Sequence, residues 1–229
     1  MGSLLHGLVI GLGFVMLVGG FAVIALNYRP YRIPTDSMTP TVQPGDTVLA
    51  HTVSGGAVGR GDIVIFRDSQ WGGEVMVKRV VAVGGDTVAC CDSQGRLLVN
   101  GKPIDEPYTA PQVMPGKDFK TTVPSGRLFL LGDSRVNSLD SRAHLDVASG
   151  TVPASDVTAR VEATVWPYGR VGVVKRTVAF DGLGAPTAAE PGSIAPATYA
   201  TVGGAAVVVL ASAAGGVVSL GRRLRCGSS

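Results

Sequence analysis

The sequence predicts a mainly β protein: a compact antiparallel β-sheet domain flanked by N-terminal and C-terminal transmembrane helices. Two uncharged runs of membrane length stand towards the ends of the chain, residues 7–26 (20 residues) and 199–220 (22 residues). Between them lie several short Val- and Ile-rich segments separated by Gly, Asp and Ser turns, the pattern of an all-β domain. That central region shows no long helical period. The 229 residues allow one ordinary domain plus extras. Charged residues make up only 16% of the chain, below the usual quarter, and the mean hydropathy is positive, as expected where segments sit in lipid. A net charge of +3, much of it in a C-terminal cluster, gives no case for a nucleic-acid partner.

Residues 1–27 read as an N-terminal anchor, since about 20 apolar residues cross a bilayer as a helix. A cleaved signal peptide would carry a basic start and a shorter apolar core. Here only the α-amine and His6 precede a long run, so an uncleaved anchor is expected. Gly7 and Gly11 are spaced for close helix packing. Tyr28, Arg29, Tyr31 and Arg32 follow as an interfacial belt. Residues 32–46, RIPTDSMTPTVQPGD, hold too much Pro, Thr and Ser for a long helix. Ser37 stands 11 residues after Leu26. Fully extended, that stretch spans at most roughly 36–40 Å, which keeps Ser37 near the membrane surface.

A β-rich domain is expected over residues 28–177. Strands are expected at 47–50, 62–66, 74–83, 87–91, 96–99, 128–131 and 160–166, with Asn100-Gly101 as a two-residue hairpin. Arg60-Gly61-Asp62 spells an adhesion tripeptide but leads straight into a strand. Residues 178–198 read as a linker carrying Pro186, Pro191 and Pro196. A second span at 199–221 and a basic tail at 222–229 complete the chain. The cluster Arg222-Arg223-Leu224-Arg225 puts the C-terminus in the cytoplasm. Two spans then place both termini in the cytoplasm and the β domain outside, in the plasma membrane, although Arg29 and Arg32 pull the other way. Three cysteines make no disulfide framework. A bond between the neighbours Cys90 and Cys91 needs a strained ring, so they are expected as small strand residues on opposite faces. Cys226 lies in the tail.

Metal and cofactor chemistry finds little support. His6, His51 and His144 form no ligand pair at metal spacing, the cysteines have no CxxC partner, and no phosphate-binding Gly loop is present. Hydrolytic chemistry remains. A serine needs a base to become a nucleophile at neutral pH. His51 or His144 with an Asp is one route, without a compelling context. Lys78 interrupts an otherwise apolar strand beside Arg79, and alternation sends one of the two inward. A lysine on a buried face loses hydration, its pKa falls, and a neutral amine takes a proton from a hydroxyl. The bland alternative is a surface lysine. Residues 132–142, GDSRVNSLDSR, form either a solvated loop of weak ion pairs or a network that fixes a loop and orients a base.

Together these segments resemble type I signal peptidases, membrane-bound serine proteases of the leader peptidase family that remove signal peptides from exported proteins. The resemblance rests on four boxes in the family's order: Ser37-Met38-Thr39-Pro40-Thr41-Val42 with Gly45-Asp46; Arg60-Gly61-Asp62-Ile63-Val64; Val77-Lys78-Arg79-Val80-Val81 with Gly84-Gly85-Asp86; and Gly132-Asp133-Ser134-Arg135 through Ser138-Leu139-Asp140-Ser141-Arg142. It covers roughly residues 31–168. It implies Ser37 as nucleophile and Lys78 as general base, with Ser138 bonded to the Lys78 amine. It implies an Asp140–Arg142 pair that holds the loop, and an oxyanion hole from the Ser37 backbone N–H and the Thr35 hydroxyl. Ile33, Pro34, Met38, Met76 and Val77 would line shallow pockets for small substrate side chains. Implied partners are signal peptides of exported preproteins, membrane lipid and the secretion translocon; no metal or cofactor is implied. Ser134 stands where the family usually has Asn, and the turn after the base reads Gly84-Gly85-Asp86. Two other readings stay open: a non-enzymatic membrane scaffold displaying a β domain, and a related self-cleaving or specialised processing protease.

Overall fold

The computed structural model describes residues 2–53, 57–109, 118–190 and 192–226. The chain divides into two units, Tyr28–Gly192 and the two terminal segments on either side of it.

The terminal unit is a pair of helices, α1 (Gly2–Asn27) and α2 (Ile194–Cys226). Within them Leu4–Asn27 and Ile194–Gly216 are long and apolar enough to cross a membrane. Small residues set their approach. A Cβ on Gly204 would fall 2.4 Å from the Leu17 nitrogen, and one on Gly20 would fall 2.6 Å from the Ala197 oxygen. The expected packing positions Gly7 and Gly11 meet nothing within 4 Å; Gly13 and Gly20 do this work instead. Helix α2 also starts five residues earlier than expected, because Pro196 falls in its first turn, where a missing N–H costs little. The helix takes up residues 222–226 of the expected tail. Residues 227–229 and Pro191 lie outside the described residues.

Among the described residues the β unit holds twelve strands, all paired antiparallel. They are β1 (Tyr28–Arg32), β2 (Thr47–Thr52), β3 (Ile63–Arg67), β4 (Val75–Val83), β5 (Thr87–Cys90), β6 (Leu98–Val99), β7 (Lys102–Pro103), β8 (Phe119–Thr122), β9 (Arg127–Leu131), β10 (Thr151–Pro153), β11 (Val157–Trp166) and β12 (Gly172–Val173). The large sheet runs β1-β2-β11-β3-β4-β9-β10, with β12 added beside β11; the small one runs β7-β6-β5-β8. The fold is therefore the antiparallel β domain expected, with an apolar helix at each end.

Several elements differ from expectation. The segment read as an interfacial belt is β1, whose Tyr28 pairs with His51 across β2. As an edge strand it tolerates Pro30, and Tyr28 is buried with its hydroxyl donating to Glu162 Oε2 at 2.8 Å. The first part of the supposed linker, residues 178–190, belongs to the β unit. Phe180 is fully buried among Val81, Phe129 and Leu131, and Ala188 N–H donates to the Arg60 carbonyl at 2.7 Å. Strand β5 stops at Cys90, so Cys91 escapes the strand's alternation and the two cysteines join in a disulfide. Arg60 and Asp62 of the adhesion-like tripeptide are both buried, so that motif is not displayed.

Candidate active site

The Ser37 loop is tied at its ends and pinned at its centre. Ile33 N–H donates to the Asp46 carbonyl and Gly45 N–H to the Ile33 carbonyl, both at 2.8 Å. Ile33, Met38 and Val42 sink into the core with Val48, Ile63, Ile65 and Val161. Each such burial is worth roughly 1.5–3 kcal/mol, which resists loop movement. Between these anchors a turn closes from Thr39 N–H to the Asp36 carbonyl at 3.0 Å. Ser37 rides on that turn. Its carbonyl accepts from Ser134 N–H at 3.0 Å, so the loop after β9 holds the Ser37 backbone. Gly132 makes that contact possible: a Cβ there would fall 2.5 Å from the Ser37 oxygen and 2.2 Å from Ser138 Oγ.

Lys78 comes from the middle of β4, opposite Val64 of β3. Its Nζ donates to Ser37 Oγ at 2.9 Å and to the Val77 carbonyl at 3.2 Å. Only 5% of the residue is exposed. Burial pushes the amine below the usual lysine range, while the carboxylates of Asp140 and Asp133 pull it partly back. Thr35 Oγ1 lies 3.4 Å from Ser37 Oγ, so the hydroxyl read as an oxyanion donor stands beside the Ser37 hydroxyl. Neither His51 nor His144 lines this site; His144 stacks on Trp71 at 4.3 Å.

Asp140 is fully buried and accepts from Gly132 N–H at 3.1 Å and from Arg142 Nε at 2.9 Å and Nη2 at 2.8 Å. The Asp140–Arg142 pair therefore closes the loop that carries Ser134 and Ser138. Ser138 departs from the resemblance. Its Oγ is buried without a hydrogen-bond partner, so the bond to the Lys78 amine is not formed here. The hydroxyl packs against Gly132, and Lys78 spends its donors on Ser37 and Val77.

A cavity of about 660 Å³ opens over Ser37 and Lys78. All five expected pocket residues, Ile33, Pro34, Met38, Met76 and Val77, line it, with Thr35, Val75 and Leu139 among the others. Strand β4 pairs with β3 from Val75 to Arg79, but with β9 only from Arg79 onward. Its other edge, Val75 to Lys78, carries no strand partner among the described residues.

The family model described as signal peptidase, peptidase S26, matches residues 5–166. Signal peptidase I of Mycobacterium tuberculosis (strain ATCC 25618 / H37Rv) is 33% identical, over 72% of this chain and 74% of its own length. Signal peptidase I of Bacillus caldolyticus is 35% identical over 62% of this chain and 81% of its own. Signal peptidase I U of Bacillus subtilis (strain 168) is 30% identical over 68% and 84%. A solved signal peptidase I from Enterococcus faecalis V583 overlaps 44% of this chain and 93% of its own at 30% identity, with a TM-score of 0.36. The chain belongs to the peptidase S26 family of signal peptidases. It is a membrane-bound serine protease with two candidate spans.

Within this signal peptidase, one layer of the site escaped the sequence reading. Arg79 is not a solvent-facing neighbour of Lys78 but is 2% exposed, clamped to Asp133 through Nε at 2.8 Å and Nη2 at 2.6 Å. Thr41 Oγ1 donates to the same carboxylate at 2.6 Å. Both faces of β4 are covered here, so alternation sorts Lys78 and Arg79 to different partners rather than to core and solvent. The signal was present in the chain order, which puts Arg79 next to Lys78 and Asp133 next to Gly132.

Proposed function

We propose that this protein removes signal peptides from exported preproteins, cleaving after small residues with Ser37 as nucleophile and Lys78 as general base. The observation that carries this reading is the 2.9 Å hydrogen bond from a buried Lys78 amine to Ser37 Oγ. A neutral Lys78 takes the Ser37 proton as Oγ attacks the scissile carbonyl. The carbonyl carbon becomes tetrahedral, and the Ser37 N–H with the Thr35 hydroxyl receives the oxyanion. Lys78, now an ammonium, gives its proton to the leaving amine. Water then attacks the acyl-enzyme with Lys78 again accepting the proton, and the signal peptide leaves as a carboxylate.

An extended substrate adds to the unpaired edge of β4, where main-chain bonds supply affinity and alternate side chains enter the cavity. Walls of Ile33, Pro34, Met38, Met76 and Val77 favour small apolar side chains and keep water from Lys78. In the substrate complex Ser138 turns its free hydroxyl to the Lys78 amine; catalytic hydrogen bonds often tighten only when substrate is bound. Both termini are cytoplasmic, the β unit lies outside, and the translocon and membrane lipid deliver the preprotein.

A serine-directed acylating reagent tests the nucleophile. One equivalent of covalent label on the intact protein, lost in Ser37→Ala, is expected. Equal labelling of Ser37→Ala would reject Ser37 and favour a non-enzymatic scaffold or another nucleophile.

A further inference from the structure

We propose that Glu106 and Tyr108 are positioning residues of the catalytic site, forming a clamp that holds Arg79 and the 132–142 loop in register. The proposal rests on the Ser37–Lys78 reading above and adds residues to it.

The clamp begins in the small sheet. Ile104 follows β7 and is buried with Leu97, Phe129 and Leu131. Residues Glu106-Pro107-Tyr108-Thr109 then make a tight turn, with Thr109 N–H donating to the Glu106 carbonyl at 3.1 Å and Thr109 Oγ1 to the same oxygen at 2.9 Å. Pro107 sits at the turn position where its fixed φ fits.

One arm reaches the loop after β9. Glu106 accepts from Arg135 Nη2 at 2.6 Å and Nη1 at 2.7 Å. Arg135 Nε donates to the Gly132 carbonyl at 3.0 Å, and the Arg135 carbonyl accepts from Arg142 Nη2 at 2.7 Å. This arm therefore grips the segment whose Ser134 N–H holds the Ser37 carbonyl.

The other arm reaches β4. Tyr108 lays its ring on the Arg79 guanidinium, 3.9 Å from carbon to centroid, and its hydroxyl donates to Glu106 Oε1 at 2.5 Å. Arg79 is thus held by a ring on its face and by Asp133 along its edge. A stacked planar guanidinium resists rotation about β4, and Lys78 is the adjoining residue. One arm ends beside Ser134, whose N–H bonds the Ser37 carbonyl, and the other ends beside Lys78. The comparably buried Arg60–Asp86 pair, joined at 2.7 Å, instead ties the 178–190 segment to the far end of β4, where Asp86 accepts from Val83 N–H at 2.8 Å.

The test is steady-state cleavage of a model preprotein by the full-length enzyme in detergent, comparing Tyr108→Leu, Tyr108→Phe, Glu106→Gln and Glu106→Asp. Tyr108→Leu and Glu106→Gln should lower kcat about 10- to 100-fold, the scale of a ~1 Å misplacement, with KM changed by less than about threefold. Tyr108→Phe keeps the ring over Arg79 and should recover kcat to within about fivefold of the parent. Unchanged kcat in both Tyr108→Leu and Glu106→Gln overturns the clamp. So does a loss that vanishes once rates are divided by the folded fraction from thermal melts. Should Tyr108→Leu not fold, Glu106→Asp decides: it keeps the charge and shortens the arm, and a parental kcat rejects the proposal. Lys78→Ala in the same assay tests the dyad separately. Cleavage by that variant would reject the base while leaving the comparison of Tyr108→Leu with Tyr108→Phe readable on its own.

Discussion

Arg79 and Asp133 face each other through two near-parallel hydrogen bonds of 2.8 and 2.6 Å, and each is the chain neighbour of a residue that touches Ser37. Arg79 follows Lys78; Asp133 precedes Ser134, which bonds the Ser37 carbonyl. Such a pair earns little by itself, but breaking it strands a buried charge. Asp133→Asn should cost about 3–5 kcal/mol in urea unfolding and lower kcat, because the guanidinium then lies unpaired between β4 and the loop. Unfolding midpoints with unchanged m-values would check it.

The close approach at Gly132 gives a second expectation. Gly132→Ala places a methyl on the Ser37 oxygen and on Ser138 at once. Backbone and a short side chain cannot both give way, so the cost should be about 1–3 kcal/mol, with kcat reduced far more than KM. Parallel melts and kinetics separate the two effects.

Much of this site was legible in the sequence, and the reason is spacing along the chain. Ser37 sat in a proline-stiffened loop, Lys78 broke an apolar strand, and Asp140 with Arg142 stood two residues apart. The missing layer was tertiary. Nothing near Glu106 in sequence marks it as the partner of Arg135, because that pairing exists only once the small sheet packs on β9. The same holds for Phe180: a stretch with Pro and Gly reads as a linker until one aromatic finds a hole in the core. Strand β1 was missed for the opposite reason, since its Tyr and Arg residues fit a membrane interface as well as they fit an edge strand.

Ser138→Ala tests whether a hydroxyl with no partner in the free enzyme acts on Lys78 during turnover. Deleting a buried, unpaired hydroxyl should leave stability unchanged or raise it by up to about 1 kcal/mol. If the hydroxyl turns to Lys78 in the substrate complex, kcat falls about tenfold or more at unchanged stability. Parental kcat would remove Ser138 from the mechanism.

The lowered Lys78 pKa carries a sign for both activity and stability. To act as the proposed base Lys78 must be neutral, so kcat/KM should rise with pH through the depressed pKa and level off before the ordinary lysine value of 10.5. Between those two pKa values the unfolded chain binds more protons at this position than the folded one, so stability should increase with pH there. Lys78→Met should flatten that part of the stability profile. A kcat/KM that stays level down to pH 5 would contradict an amine base.

The most direct measurement is the rate and product mass for a model preprotein incubated with Lys78→Ala beside the parent enzyme and Ser37→Ala. The account predicts cleavage after a small residue by the parent, and neither variant above background, with each retaining the parental melting transition. Cleavage by Lys78→Ala at a rate near the parent's would contradict the Ser37–Lys78 dyad.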